Sequence, residues 1–393
     1  MATNRIELAQ LTHEDNQLLA LLFKVKNETQ VFQKDMPYQF KHYDTLTNRR
    51  INYSITLSHD IIRRASNSSP SEFRYEVVDH KRLGEGGFSE VFGILCTLAL
   101  QNNKIIAKRN KQRVVKVQHY NEDELTALID EVELTEKAKN MHIKQPALTK
   151  LNDNKYLGYL VMRRLNGSDL YSVITQLYCG ALDLTTYQRL TIIIKLLSQL
   201  KKLHANGIIH RDLKPDNIMI DLNTGELDIY DYGLSKVDTT NDVGIDILGT
   251  PGYIPPEIYL GAGTNDKSDV FSMSVVIAML WYADEPGNEP EDVFNYQFNN
   301  IFSDEKIDLN EMEKSQILTL LRQMSDPKRD NRISVQNALN HFTEIRECYV
   351  NRKIDEMIAN KPARYLLENG LFSNNKIVPP KRESESHIHS CRF

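Results

Sequence analysis

The sequence predicts an α+β protein of two lobes, a small β-rich lobe followed by a larger helical one. Three observations predict it. From Tyr75 to Leu165, short runs of alternating apolar residues rich in Val, Ile and Tyr recur, with one helix-patterned stretch among them. After Asp169 the apolar spacing becomes that of helices, most plainly over Asp183–His204 and Val270–Tyr282. Strand-rich then helix-rich order segregates the two kinds of element, which suits two lobes with a cleft between them.

The elements follow in order. Residues 1–73 are expected to form an N-terminal extension, mainly helical, with an amphipathic helix over Asn16–Val25 and a strand-like run RRINYSITL over Arg49–Leu57. The polar stretch from Arg64 to Glu72, RASNSSPSE, reads as a linker. Strands are predicted at Tyr75–Val78, Val91–Leu100, Lys104–Ala107, Arg113–Gln118, Ala147–Leu151 and Tyr159–Leu165, and a helix at Glu122–Asn140. Two further helices are expected at Ser315–Gln323 and Val335–Arg346. The resulting division is 1–73, then a domain over 74–346 split into lobes 74–165 and 166–346, then a C-terminal extension and polar tail over 347–393.

Bulk properties set the class. In 393 residues, 41% are hydrophobic and 26% charged, enough for a sizeable core in an ordinary globular protein. The net charge of −5 gives no basic field for nucleic acid or an anionic membrane. The apolar run Val275–Ala283 is too short for a transmembrane segment. The first twenty residues carry Arg5, Glu7, Glu14 and Asp15, which argues against a secretory signal; Ala2 excludes N-myristoylation, and Cys391 stands one place too late for prenylation. Cys96, Cys179, Cys348 and Cys391 have no metal-ligand or disulfide spacing and read as reduced thiols. A cytoplasmic location is therefore expected.

The chemistry concentrates in a few loops. His210-Arg211-Asp212-Leu213-Lys214-Pro215-Asp216-Asn217 sets a carboxylate, an ammonium and an amide within six residues. Such a loop can hold a hydroxyl nucleophile, an anionic phosphate and a metal ion together. Upstream, Leu83-Gly84-Glu85-Gly86-Gly87-Phe88-Ser89-Glu90-Val91 lies between two predicted strands. Its glycines let backbone N–H groups approach a phosphate where a Cβ would collide, although a tight hairpin uses the same residues.

The first of these loops resembles the catalytic loop of the eukaryotic-type protein kinases, in the Lys-Pro form typical of Ser/Thr-directed members, and the second resembles their Gly-rich phosphate loop with Ser89 in place of the third glycine. The resemblance covers residues 76–345 and implies an ATP-dependent Ser/Thr protein kinase using Mg²⁺. It implies that Asp212 is the base for the substrate hydroxyl and that Lys214 neutralises charge on the transferring phosphoryl. Asn217 and Asp231, the latter in an Asp231-Tyr232-Gly233 version of D-F-G, would hold the metal. Val114-Val115-Lys116-Val117 looks like V-A-I-K, which makes Lys116 the phosphate-binding lysine. Ile105-Ile106-Ala107-Lys108 also fits, and preferring Lys116 requires an insertion between the second and third strands of the lobe. Glu131, in Asp130-Glu131-Val132-Glu133, is the expected partner on the helix. Val91, Val114, Met162, Leu165 and Met219 would line the adenine pocket, and Asp169 would contact ribose or cap a helix. The hydroxyl of Tyr232 would need a partner, with Thr135 a candidate.

Gly249-Thr250-Pro251-Gly252-Tyr253-Ile254-Pro255-Pro256-Glu257 resembles the end of an activation segment, the platform for a peptide substrate. The resemblance implies that Thr250 bridges Asp212 and Lys214, that Glu257 pairs with Arg332, and that Asp269 supports the catalytic loop from beneath. Arg211 suggests sensitivity to an anion on the segment, either phosphorylated Thr239 or Thr240 or the acidic Asp238, Asp242 and Asp246. Phe271 and Ser274 replace the family's usual Trp and Gly. A pseudokinase scaffold and a small-molecule kinase of the same fold are the alternatives, the first opposed by Lys116, Asp212, Asn217 and Asp231, the second by the 249–257 segment. The expected partner is a protein substrate with a Ser or Thr hydroxyl. The unfamiliar flanks and the tail Lys381–Ser386 also resemble bacterial effector kinases acting in a host cytosol.

Overall fold

The structure, a computed structural model, describes residues 4–44, 48–65, 72–85, 89–109, 112–138, 146–237 and 247–360. The chain divides into two compact units, residues 1–165 and 166–393.

In the first unit the elements are β1 (Asn4–Ile6), α1 (His13–Val25), β2 (Val31–Phe32), β3 (Tyr38–Asp44), β4 (Arg49–Leu57), β5 (Ile61–Ala65), β6 (Phe73–Glu85), β7 (Ser89–Gln101), β8 (Lys104–Arg109), β9 (Arg113–Asn121), α2 (Leu125–Ala138), β10 (Ala147–Asn152) and β11 (Lys155–Arg163). Among the described residues, seven strands form a sheet in the order β10-β11-β9-β7-β6-β5-β2, with β8 added on β7. Among its described residues, the segment before β6, expected to be mainly helical, contains one helix and five strands, and two of those strands, β5 and β2, extend this sheet.

β7 is long enough to serve two neighbours. Its first half, Ser89–Gly93, pairs with β9, and its second half, Cys96–Gln101, pairs with β8. The β7–β8 connection is the pair Asn102-Asn103, with φ of 47° and 64°. Asparagine accepts this left-handed backbone, which matches the twist of a two-residue hairpin. Strand β8 is thus the insertion that choosing Lys116 demanded. Val77 pairs with Cys96 but Val78 with Ile94, so Leu95 bulges and the two halves of β7 present opposite faces.

α1 begins at a capping box, with Thr12 Oγ1 accepting from the Asp15 amide at 3.1 Å and Asp15 accepting in return from the Thr12 amide at 2.9 Å. Its buried Leu18, Leu19, Leu22 and Phe23 share one core with Phe32, Tyr75, Val77 and Leu98, and the Phe23 and Tyr75 rings stack with centroids 3.7 Å apart. α2 packs Leu128 and Val132 on Tyr120 and Leu160. That approach needs Gly158, where a Cβ would lie 2.7 Å from the Tyr120 ring. The predicted helix Glu122–Asn140 opens with a 3₁₀ turn, Glu122–Glu124, before α2.

The second unit contains β12 (Ser168–Asp169), α3 (Leu170–Tyr178), α4 (Thr186–Ala205), β13 (Ile208–Ile209), β14 (Ile218–Asp221), β15 (Glu226–Ile229), β16 (Lys236–Val237), α5 (Pro256–Tyr259), α6 (Asp266–Met279), α7 (Pro290–Phe294), α8 (Glu311–Met324) and α9 (Val335–Asn360). α6 has no polar stripe, and its residues from Ser268 to Met279 are buried, so it forms the axis of the unit. α4 buries Leu190, Ile193, Leu197 and Leu200. Two small sheets, β12-β14-β15 and β13-β16, flank the polar loop 210–217. α9 runs well beyond the predicted end at Arg346; Arg352 bonds Glu313 on α8 at 2.8 Å and so fixes the extra turns. Among the described residues no helix is long and apolar enough to cross a membrane.

Candidate active site

In the second unit, strands β13 and β14 bracket the loop 210–217 and fix its ends. Asp212 stands at the centre of a polar cluster. Thr250 Oγ1 donates to Asp212 Oδ1 at 2.7 Å, and Lys214 Nζ donates to the same hydroxyl at 2.8 Å. Lys214 Nζ lies 3.6 Å from Asp212 Oδ2. Asn217 Nδ2 donates to the Asp212 carbonyl at 2.8 Å and to Oδ2 at 3.0 Å. Both of its amide hydrogens are thereby directed at acceptors, and the group it has left to offer is its carbonyl oxygen. Gly249, at φ 120°, lets the backbone pass: a Cβ there would sit 3.0 Å from the Arg211 carbonyl.

Beneath this cluster lies Asp269, 1% exposed on α6. Its Oδ2 accepts from the His210 amide at 2.8 Å, and its Oδ1 from the Arg211 amide at 3.0 Å. Burial pushes the Asp269 carboxyl upward, but the His204 hydrogen bond at 2.9 Å and the backbone donor of His210 outweigh it and hold the group below the ordinary carboxylate range. Arg211 takes φ 66°, a left-handed backbone that these bonds sustain, and its side chain donates to the Leu234 carbonyl. His210 is fully buried, with Nδ1 accepting from the Asp212 amide at 3.3 Å and Nε2 donating to the Tyr230 carbonyl at 3.0 Å, which makes it a packed structural histidine.

Asp231 is exposed, at φ 64°, directly after β15 and Tyr230. The Tyr232 ring is buried against His210, and its hydroxyl donates to the Ile229 carbonyl at 2.9 Å. The Thr135 hydroxyl donates to the Glu131 carbonyl at 2.6 Å within the first unit. Asp169 caps α3 by accepting from the Ser172 amide at 2.7 Å. Met219, on β14, pairs with Asp169 and Asp228. Glu257 and Arg332 form a buried two-pronged pair at 2.8 and 2.6 Å, with Phe271 under the guanidinium at 4.9 Å.

In the first unit, Lys116 Nζ contacts Glu131 Oε1 at 2.8 Å, and both side chains are largely shielded. Lys108 is exposed on β8, paired with Thr97. Val91 pairs with both Gly84 and Lys116, and Val114 is buried beside Gly93, so the hairpin end, Val91 and Val114 border the lysine. Leu83 is 40% exposed; Glu85 pairs with Glu90, and Ser89 opens β7. Met162 packs on the α2 core, and Leu165 is half-buried at the end of the unit. Gly86, Gly87, Phe88, Thr239 and Thr240 lie outside the described residues.

Three contacts carried no sequence signal. His204 reaches Asp269 from the last turn of α4, 65 residues away. Ser268 Oγ donates to Glu257 Oε1 at 2.8 Å. Tyr253 Oη donates to Glu285 Oε1 at 2.6 Å, and burial, reinforced by that carboxylate, pushes its hydroxyl far above the usual tyrosine range. Each joins residues that only the fold brings together.

A β-rich first unit with a buried lysine–glutamate pair and a helical second unit with an Asp–Lys–Thr–Asn cluster define the α+β fold of the protein kinases. The chain belongs to that family: residues 77–342 match the protein kinase domain. Among its relatives is a probable serine/threonine-protein kinase of Dictyostelium discoideum, 31% identical over 274 residues, which are 62% of this chain and 55% of that protein. The serine/threonine-protein kinase dkf-1 of Caenorhabditis elegans is 26% identical over 296 residues, 74% of this chain and 39% of that protein. Probable serine/threonine-protein kinase 2 of Plasmodium falciparum is 25% identical over 299 residues, 74% of this chain and 54% of that protein. The chain thus spans about half or less of these relatives' lengths.

Proposed function

We propose that the chain transfers the γ-phosphoryl group of Mg-ATP to Ser or Thr hydroxyls of protein substrates. The observation that carries this reading is the Asp212–Thr250–Lys214 cluster, in which one hydroxyl at 2.7 and 2.8 Å holds a carboxylate and an ammonium in register. A substrate hydroxyl oxygen forms the new bond to the γ-phosphorus, the bond from that phosphorus to the bridging oxygen breaks, and ADP leaves. The hydroxyl proton passes to Asp212, and Lys214 neutralises charge on the transferring group. Lys116, steadied by Glu131, would grip the α- and β-phosphates.

The donor set suits Mg²⁺. Asn217 is held with its oxygen as the remaining polar group, and Asp231 offers an exposed carboxylate; a hard cation takes oxygen ligands of these kinds. When bound, the ion would offset charge on the β- and γ-phosphates. On the first unit, Leu83, Gly84, Glu85, Gly86, Gly87, Phe88, Ser89, Val91, Val114, Met162 and Leu165 would contact the nucleotide. The relatives, named as serine/threonine-protein kinases, support Ser/Thr direction.

The decisive experiment is Asp212→Ala. Transfer to a generic basic protein should fall by about a hundred-fold or more, while ATP affinity, read by calorimetry, stays near the wild-type value. Undiminished transfer by this variant would contradict the proposal.

A further inference from the structure

One face of the first unit's sheet gathers Arg64, Arg113 and Arg163. Alternation along β9 puts Arg113 on the same face as Val115 and therefore opposite Val114 and Lys116. Strand pairing sets Arg163 directly beside Arg113. Val115 packs with Val78, Ile94 and Val161 on that face; Glu76 shares it by alternation with Val78, and the Leu95 bulge brings Thr97 onto it as well. Glu76 is fully buried and already engaged: Oε1 accepts from Arg64 Nε at 2.6 Å and Nη2 at 2.5 Å, and Oε2 accepts from Thr97 Oγ1 at 2.5 Å. Arg74, nearby on β6, is matched by Glu72 at 3.2 Å. One nitrogen of Arg113 is left over: its Nη1 is buried without a hydrogen-bond partner. Burial first, and then the charge of Arg64, lower the affinity of the Arg113 guanidinium for its proton, with Glu76 working in the opposite direction. A buried guanidinium nitrogen facing a second arginine is a costly arrangement that a bound anion would relieve.

We propose that Arg113, flanked by Arg64 and Arg163, forms a binding site for a phosphate-type oxyanion on the side of the sheet away from Lys116. Guanidinium forks match such an anion in two-pronged fashion. Free phosphate and the phosphate of a modified serine or threonine share the required chemistry. Arg64 lies on β5, before the region that matches the kinase domain, and Arg113 and Arg163 lie within it. An anion held among them therefore fastens the N-terminal strands to the kinase sheet. The site does not depend on the proposed transfer reaction.

The test is a thermal-unfolding titration of the full chain with inorganic phosphate against sodium chloride of equal ionic strength, repeated with a phosphoserine peptide and its unphosphorylated form. At saturation phosphate should raise the melting temperature of the wild type by about 5 °C. Arg113→Gln should abolish the response, and Lys116→Met, which alters the other face, should keep it. Arg163→Gln serves as the second variant if Arg113→Gln does not fold, and should weaken the response. A larger shift with the phosphopeptide assigns the site to a modified side chain, and an equal or smaller one to free phosphate. No wild-type response beyond chloride would overturn the proposal, as would a response that Lys116→Met removes and Arg113→Gln or Arg163→Gln leaves intact.

Discussion

Asp269 shows how much one buried carboxylate can organise. It takes the amides of His210 and Arg211 and the imidazole of His204, and so supports the loop from which Asp212 projects. Its folded-state pKa lies below the unfolded value, despite the burial that opposes this. Its stabilising contribution is therefore fully present above the ordinary aspartate range and is lost as pH falls through the folded value. Asp269→Asn should flatten the acid limb of a stability-versus-pH curve below about pH 4, measured by denaturant titration; an unchanged acid limb would refute the assignment. Thr250 acts at the same scale. Removing its hydroxyl in Thr250→Ala frees both Asp212 and Lys214 from their shared tie, and misplacement of about 1 Å can cost about a hundred-fold in rate. The proposed kcat should fall by about that factor with KM for ATP little changed, as steady-state kinetics would read it.

Elements are joined by buried ion pairs as well as apolar packing. Glu257, on α5, and Arg332, just before α9, meet at 2.6 Å, 5% and 2% exposed, with Ser268 of α6 completing the contact. Glu257→Ala leaves a buried guanidinium without its counter-charge and should cost about 3–5 kcal/mol in chemical denaturation. α9 makes the same point less centrally: Arg352 joins it to Glu313, which is 1% exposed on α8. The sequence shows α4 and α6 clearly because their apolar residues recur at helical spacing over several turns. It hides the last turns of α9, where a surface arginine has its meaning only through a partner 39 residues earlier.

At the scale of the whole molecule, the kinase-domain match begins at residue 77, yet the first unit's core does not. Tyr75, Val77, Cys96 and Leu98 share a core with Leu19, Leu22 and Phe23 of α1 and with Phe32 and Ile61. A chain begun at residue 74 would expose that surface and leave Glu76 without Arg64. It should be recovered mostly as aggregate, or should melt well below the full chain in a thermal scan; recovery as a stable monomer would contradict a shared core. The residues of the 210–217 loop, the Lys116–Glu131 contact and the Glu257–Arg332 pair could be named from the sequence, because the family resemblance rests on fixed residue types at near-fixed spacings. The joining of residues 4–65 to the kinase sheet could not, nor could the His204 tie to Asp269 or the unpartnered Nη1 of Arg113. Local pattern encodes what a segment becomes and which groups it carries. Which edge it pairs with, and which buried charge is left unbalanced, arise from contacts between segments distant in the chain, and the tertiary structure alone decides them.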